Sequence, residues 1–158
     1  MEYREVIASR HSVRKFTDEP VDRQIIDEII DEARYAPSSR NSKSSGFMIV
    51  EDPDTLQAMS QLRDYGAGLL AGAAAAIVVL GDTEKTDLWV ENASISATYL
   101  MLSAAERGIG SCWVHVNGRP RFKADPLKGS AEDYLRDLLG IKDHMRPLCV
   151  IALGYEAE

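Results

Sequence analysis

Four short apolar runs fix most of what this chain can become: Phe47-Met48-Ile49-Val50, Ile77-Val78-Val79-Leu80, Ser111 to Val116, and Leu148 to Leu153. None shows the strict polar–apolar alternation of a half-wet strand, so each reads as a strand buried on both faces. A sheet of such strands needs a layer on each side, and the segments between them supply helices. Tyr3, Val6 and Ile7 stand at helical spacing in a short helix over Glu2–Ser9. Across Asp22–Tyr35, Ile25, Ile26, Ile29, Ile30 and Ala33 form an apolar stripe opposite Asp27, Glu28, Asp31, Glu32 and Arg34, and Pro37 stops the helix. Asp54 is placed to cap a helix through about Leu62, and Leu69–Ala76 reads as a short helical turn entering the second strand. Asp87–Arg107 is apolar around most of its circumference and ends at Gly108, which marks a core helix that can also meet another subunit. A last helix begins at Ser130 or Ala131 and runs to Leu139 before Gly140. Strands separated by helices give an α/β or α+β layered sheet with helices on both faces.

The length of 158 residues fits one domain, residues 1–158, around a single core. The formal charge of −7 opposes nucleic acid or an anionic membrane as the main partner, so an anionic ligand requires a local basic pocket. No N-terminal stretch has the pattern of a signal peptide, and the alanine-rich run Leu69–Leu80 is too short to span a bilayer. Cys112 and Cys149 lie in strand-like stretches and read as reduced core residues of a cytoplasmic protein. His11, His115 and His144 show no metal-ligand spacing. There is no Walker-type loop, no Gly-x-Gly-x-x-Gly after a strand and no Gly-x-Ser-x-Gly elbow. A Cys112–His115 nucleophilic pair is disfavoured, because residues three apart on a strand face opposite ways.

Two stretches carry candidate chemistry. In Arg10-His11-Ser12-Val13-Arg14-Lys15-Phe16, three fixed positive charges fall within six residues. If the segment is extended, Arg10, Ser12 and Arg14 share one side and Val13 takes the other. Two guanidinium forks and a hydroxyl on one side suit a phosphate and its attached sugar, although a solvated basic turn has the same composition. The second stretch, Ser38 to Gly46, is a polar loop of hydroxyls, an amide and two cations. It reads equally as a flexible linker or as the lining of a ligand site.

The order of these pieces is more specific than any one of them. Arg-x-Ser-x-Arg lies near the N-terminus, and the acidic–apolar helix then ends in Ala36-Pro37-Ser38-Ser39-x-Asn41. Later the long helix runs into Leu-x-x-Ala-x-x-Gly-x-Gly-x-x-Trp from Leu102 to Trp113, and the last strand closes on Leu153-Gly154-Tyr155. Over nearly its whole length the chain resembles the FMN-dependent nitroreductase family.

That resemblance implies an α+β fold, a three-layer α-β-α sandwich with a mixed, mainly antiparallel central sheet, forming a homodimer with one FMN at each of two subunit interfaces. It implies that Arg10 and Ser12 hold the FMN phosphate, with His11 between them, and that Arg14 reaches the pyrimidine and ribityl side. Pro37, Ser38, Ser39 and Asn41 would border the flavin from the partner subunit. Trp113, Val114, His115 and Val116 would lie against the ring, with the backbone N–H of His115 or Val116 aimed at N5. The implied activity is hydride transfer from NAD(P)H through FMN to a small electron-poor acceptor such as a nitroaromatic, quinone, enone or flavin, in a ping-pong cycle. A non-catalytic flavin-binding protein and a specialised flavin-cleaving or dehalogenating enzyme are the alternatives. The chain departs from the family pattern in three places. Ser42-Lys43-Ser44-Ser45-Gly46 stands where Gln-Pro-Trp often follows the loop Asn; the Asn and Lys often found before the second strand have no counterpart around Ala67–Leu70; and the family's C-terminal extension with its basic phosphate ligand is missing.

Overall fold

The computed structural model describes all 158 residues. Its centre is a four-stranded sheet, β1 (Ser45–Val50), β2 (Ala75–Asp82), β3 (Gly110–His115) and β4 (Met145–Gly154), in the order β1-β2-β4-β3. Every neighbouring pair is antiparallel. The parallel component expected of a mixed sheet is confined to one bridge, Ser12 with Ser111.

Both faces of the sheet are covered. Ile77 and Val79 of β2 and Cys149, Ile151 and Leu153 of β4 pack with α2 (Arg23–Ala33) and α4 (Trp89–Glu106). Ala76, Val78, Leu80, Val150 and Ala152 face the other way, onto α3 (Pro53–Met59) and α5 (Ala131–Leu139). Odd and even residues of the same strand thus serve different cores, as the doubly apolar runs require. A register shift between Val79 and Leu80 leaves Leu148 unpaired in β4. The first helix, α1 (Tyr3–Ser9), lies beside α4. No helix is long and apolar enough to cross a membrane.

Local chemistry corrects several element boundaries. The cap of α3 is Asp52, whose carboxylate accepts the Thr55 N–H at 2.9 Å, with Pro53 in the first turn; the helix ends at Met59 rather than Leu62. The expected helical turn before β2 is a 3-10 segment, Gly68–Gly72, and the strand already begins at Ala75. Ser130 caps α5 by accepting the Asp133 N–H at 3.0 Å, and Gly140 closes it in the left-handed region.

Candidate functional site

The basic stretch is extended, and backbone pairing holds it so. Val13 N–H donates to the Ser111 carbonyl at 2.9 Å, Thr17 N–H to Tyr155 at 2.8 Å, and Ala157 N–H to Lys15 at 3.0 Å. Its apolar side chains are pegs into glycines. A Cβ on Gly110 would stand 2.9 Å from Val13 Cγ2, and one on Gly154 would stand 2.7 Å from Phe16 Cδ1. Val13 is therefore buried while Ser12 and Arg14 are exposed on the other side. Arg10 helps line a cavity of about 220 Å³ with Ser9, His11, Gly110, Ser111 and Glu156. Neither Arg10 nor Arg14 forms an ion pair, whereas Arg23, Arg107, Arg136 and Arg146 all do.

His11 behaves differently from its neighbours. Its Nδ1 lies 2.9 Å from the Ser9 carbonyl and its Nε2 lies 3.0 Å from the Glu156 carboxylate. Both partners can only accept, so the protonated ring satisfies both at once and is favoured. The hydrogen bond to Glu156, then the Ser9 carbonyl, raises its pKa above the ordinary 6.5. Beside Arg14, burial raises the Cys112 thiol above its ordinary range, which Arg14 and Ser12 only partly oppose.

The serine loop is neither a linker nor an open ligand surface along its whole length. Asn92, buried in the first turns of α4, organises it. Its Oδ1 accepts the Ser39 N–H at 3.0 Å, and its Nδ2 faces the hydroxyls of Ser39, Ser42 and Ser44 at 3.2, 3.2 and 2.9 Å. Ser38 Oγ accepts the Lys43 N–H at 3.0 Å. The backbone yields to this arrangement: Arg40, Asn41 and Lys43 have φ of 50°, 54° and 51°. For residues with a Cβ that region costs about 1 kcal/mol each, least for Asn. Ser38 thus spends its hydroxyl inside the loop, and Ser39 spends its own on Asn92 and Thr86. Arg40 and Asn41 project with no side-chain hydrogen bond, next to the exposed Pro37. Beside them a cavity of about 270 Å³ is lined by Arg34, Ser38, Lys43, Ser45, Phe47 and Ser96.

The end of β3 supplies the third piece. Trp113 stacks on His115 with ring centroids 6.1 Å apart, and Trp113 Nε1–H donates to His115 Nδ1 at 3.1 Å. Indole can only donate, so the His115 proton sits on Nε2. Burial, then the charge of Arg119, holds its pKa below the ordinary value, which makes the ring neutral at pH 7. Val114 is buried between the sheet and α5. Val116 N–H is committed to the Leu148 carbonyl at 3.0 Å. Alternate residues of an edge strand turn outward, so His115, at the other parity, directs its N–H to the open edge. Of the two backbone donors that the sequence allows, His115 is the free one. The structure also brings in a residue that sequence reasoning misses: Arg63 Nη1 lies 3.4 Å from the His115 carbonyl. Nothing in the local sequence around Arg63 signals this, because the contact spans 52 residues.

Within one chain these pieces do not all meet. The Arg10 cavity includes Ala105 and Gly108 at the C-terminal end of α4, while Asn92 holds the serine loop at its N-terminal end. Thirteen residues of helix separate Asn92 from Ala105, roughly 20 Å. Between the ends, α4 leaves Ile95 and Tyr99 exposed, and Tyr3 and Ile7 of α1 are exposed as well.

A model of the "Nitroreductase family" matches residues 7–64 and 56–155. The chain is 32% identical, over all of its length and 79% of the relative's, to a protein of Methanothermobacter thermautotrophicus provisionally named NADH dehydrogenase/NAD(P)H nitroreductase. It is 34% identical, over 97% of its length and 84% of the relative's, to a protein of Archaeoglobus fulgidus given the same provisional name. Among solved structures, an FMN-dependent nitroreductase from Clostridium difficile superposes with a TM-score of 0.91 at 36% identity, covering 98% of this chain and 87% of that one. By family match, identity and three-layer architecture together, the chain belongs to the nitroreductase family.

Proposed function

We propose that this protein is an FMN-dependent oxidoreductase that takes hydride from NAD(P)H and passes it to a small electron-poor acceptor in two successive half-reactions, working as a homodimer. The observation that carries the reading is the Arg10-Ser12-Arg14 face. In a chain of charge −7, two guanidiniums without carboxylate partners flank a hydroxyl on a segment fixed by backbone pairing. That donor set fits a phosphate ester, and the fixed segment keeps the ordering cost of binding small. The names of the archaeal and clostridial relatives support FMN and NAD(P)H as the matching groups.

FMN, when bound, supplies the hydride-accepting and hydride-donating atom, so the chain needs no catalytic acid or base. The residues bind, orient and stabilise charge. Arg10 and Ser12 hold the phosphate. Arg14 would lie toward the ribityl and pyrimidine side, where its fixed charge would favour a more negative ring. The outward N–H of His115 would donate to the ring edge, and its neutral side chain, hydrogen-bonded to Trp113, keeps the strand end rigid. The separation along α4 supports the dimeric reading. Two α4 helices packed antiparallel about a twofold axis bring the N-terminal end of one to the C-terminal end of the other. That sets Pro37, Ser38, Ser39 and Asn41 of one chain beside Arg10, Ser12 and Arg14 of its partner. The exposed Ile95, Tyr99, Tyr3 and Ile7 supply an apolar seam.

Anaerobic titration of the FMN-loaded protein with NADH or NADPH tests the activity. Bleaching of the flavin band, restored by a nitroaromatic or quinone, is expected; a band unchanged by both donors contradicts the proposal.

A further inference from the structure

Beyond the flavin face, a second basic pocket stands apart from the Arg10 stretch. Arg63, Asp64, Tyr65, Arg119, Pro120 and Lys123 line a cavity of about 340 Å³. Three of the six are cations, and none forms an ion pair. Asp64, the one acid, is engaged by the backbone, and its Oδ1 accepts the Lys123 N–H at 3.1 Å. Lys123 Nζ lies over the Tyr65 ring at 4.6 Å, which aims the ammonium without neutralising it. The neighbouring Arg121 is excluded from the cluster. Its guanidinium stacks on Tyr134 at 4.0 Å and its Nε donates to the Gln61 carbonyl at 3.0 Å. In a chain of charge −7, three cations around one hollow outnumber its single carboxylate, Asp64, and an anion relieves the remaining excess of positive charge. The pocket adjoins the end of β3, since Arg63 reaches the His115 carbonyl.

We infer that Arg63, Arg119 and Lys123 form a subsite for the phosphates of the hydride donor, and that this subsite favours NADPH over NADH. The inference rests on the reading that His115 borders the flavin. A nicotinamide stacked on a ring beside His115 would carry its pyrophosphate and adenosine phosphate away along the protein surface, and this unpaired cluster adjoins that strand end through Arg63. NADPH differs from NADH by one phosphate, the type of group that a free guanidinium and ammonium discriminate.

Because the subsite holds phosphates rather than flavin, it is testable without turnover. 2′-Phospho-ADP-ribose and ADP-ribose carry the phosphates without the nicotinamide, and calorimetric titration of each into the protein reads the pocket directly. The 2′-phosphorylated probe is expected to bind at least about tenfold more tightly, an advantage lost in Arg119→Ala/Lys123→Ala and reduced by salt. In the FMN-loaded double variant, KM for NADPH is expected to rise about tenfold or more while the uncharged donor 1-benzyl-1,4-dihydronicotinamide reduces the flavin as fast as in the parent. Equal binding of the two probes, binding unaffected by the double substitution, or an equal loss with the uncharged donor overturns the inference. Absence of bound FMN with the probe preference intact contradicts the flavin reading and leaves the phosphate pocket standing.

Discussion

The two stretches of the candidate site are held in place by opposite means. The basic stretch, residues 10–16, is ordinary extended backbone zipped onto β3 and the end of β4, with Val13 and Phe16 pegged against Gly110 and Gly154. The serine loop, residues 38–45, has almost no sheet pairing before Ser45. It is held by one buried amide, Asn92, against three residues in the left-handed region. The first leaves Arg10 and Arg14 free of carboxylate partners because the backbone does the holding, and only His11 pairs, with Glu156. The second consumes most of its polar side chains in holding itself, leaving only Arg40 and Asn41 to project. A cluster of hydroxyls in a sequence is therefore poor evidence of ligand contact, while a run of unpaired arginines on a paired backbone is better evidence.

The severest challenge to that contrast is Asn92→Ala. It strips the Ser39 N–H and the Ser42 and Ser44 hydroxyls of their shared partner, and the expected loss is about 3 kcal/mol of stability. In thermal unfolding this corresponds to a fall of about 6–12 °C for a domain of this size. A change under about 1 °C would mean the loop is held by something else. Arg10→Ala should do the reverse, weakening FMN binding by about 1.5–3 kcal/mol, roughly 10- to 150-fold, with the melting temperature nearly unchanged. Equilibrium titration against flavin absorbance or fluorescence reads this, and full FMN retention would remove Arg10 from the phosphate.

Gly110→Ala probes how the basic stretch is positioned. The new methyl meets Val13 at 2.9–3.0 Å, and a cost of about 1–3 kcal/mol is expected together with weaker FMN binding. Combining it with Val13→Ala should recover FMN affinity; a double variant as weak as the single one would show that the peg does not set the arginines. The smallest effect concerns the two histidines, followed by NMR titration. His11 should titrate above 6.5 and His115 below it. Since the His11 pKa is raised by folding, its contribution to stability is full below pH 6.5 and lost as pH rises through the folded value. Glu156→Gln should return His11 toward 6.5 and leave His115 where it is.

The layers of the fold are legible because each strand is apolar on both faces and each of α2, α4 and α5 has clear stops at Pro37, Gly108 and Gly140. The alternation of Arg10, Ser12 and Arg14 around Val13 says which side chains share a side if the stretch is extended; the bonds to Ser111 and Tyr155 that make it extended come from far along the chain. What escapes is chemistry made by distant pairs. His11 reads as a phosphate neighbour, yet its ring pairs with Glu156, 145 positions away. Asn92 is inconspicuous in an apolar helix, because its partners are about 50 residues upstream. Arg63 offers no local pattern at all. Val116 and His115 are equivalent in sequence, and only strand parity and the Leu148 carbonyl separate them.

The proposed dimeric site depends on one proposition: one chain's basic stretch and its partner's serine loop together hold each FMN. Sedimentation velocity of the FMN-soaked protein, recorded in the protein band and in the visible flavin band, decides it. Flavin colour is predicted to sediment at twice the 17.4 kDa chain mass, with one FMN per chain. A colourless protein, or a flavin band travelling with a single chain, would contradict it.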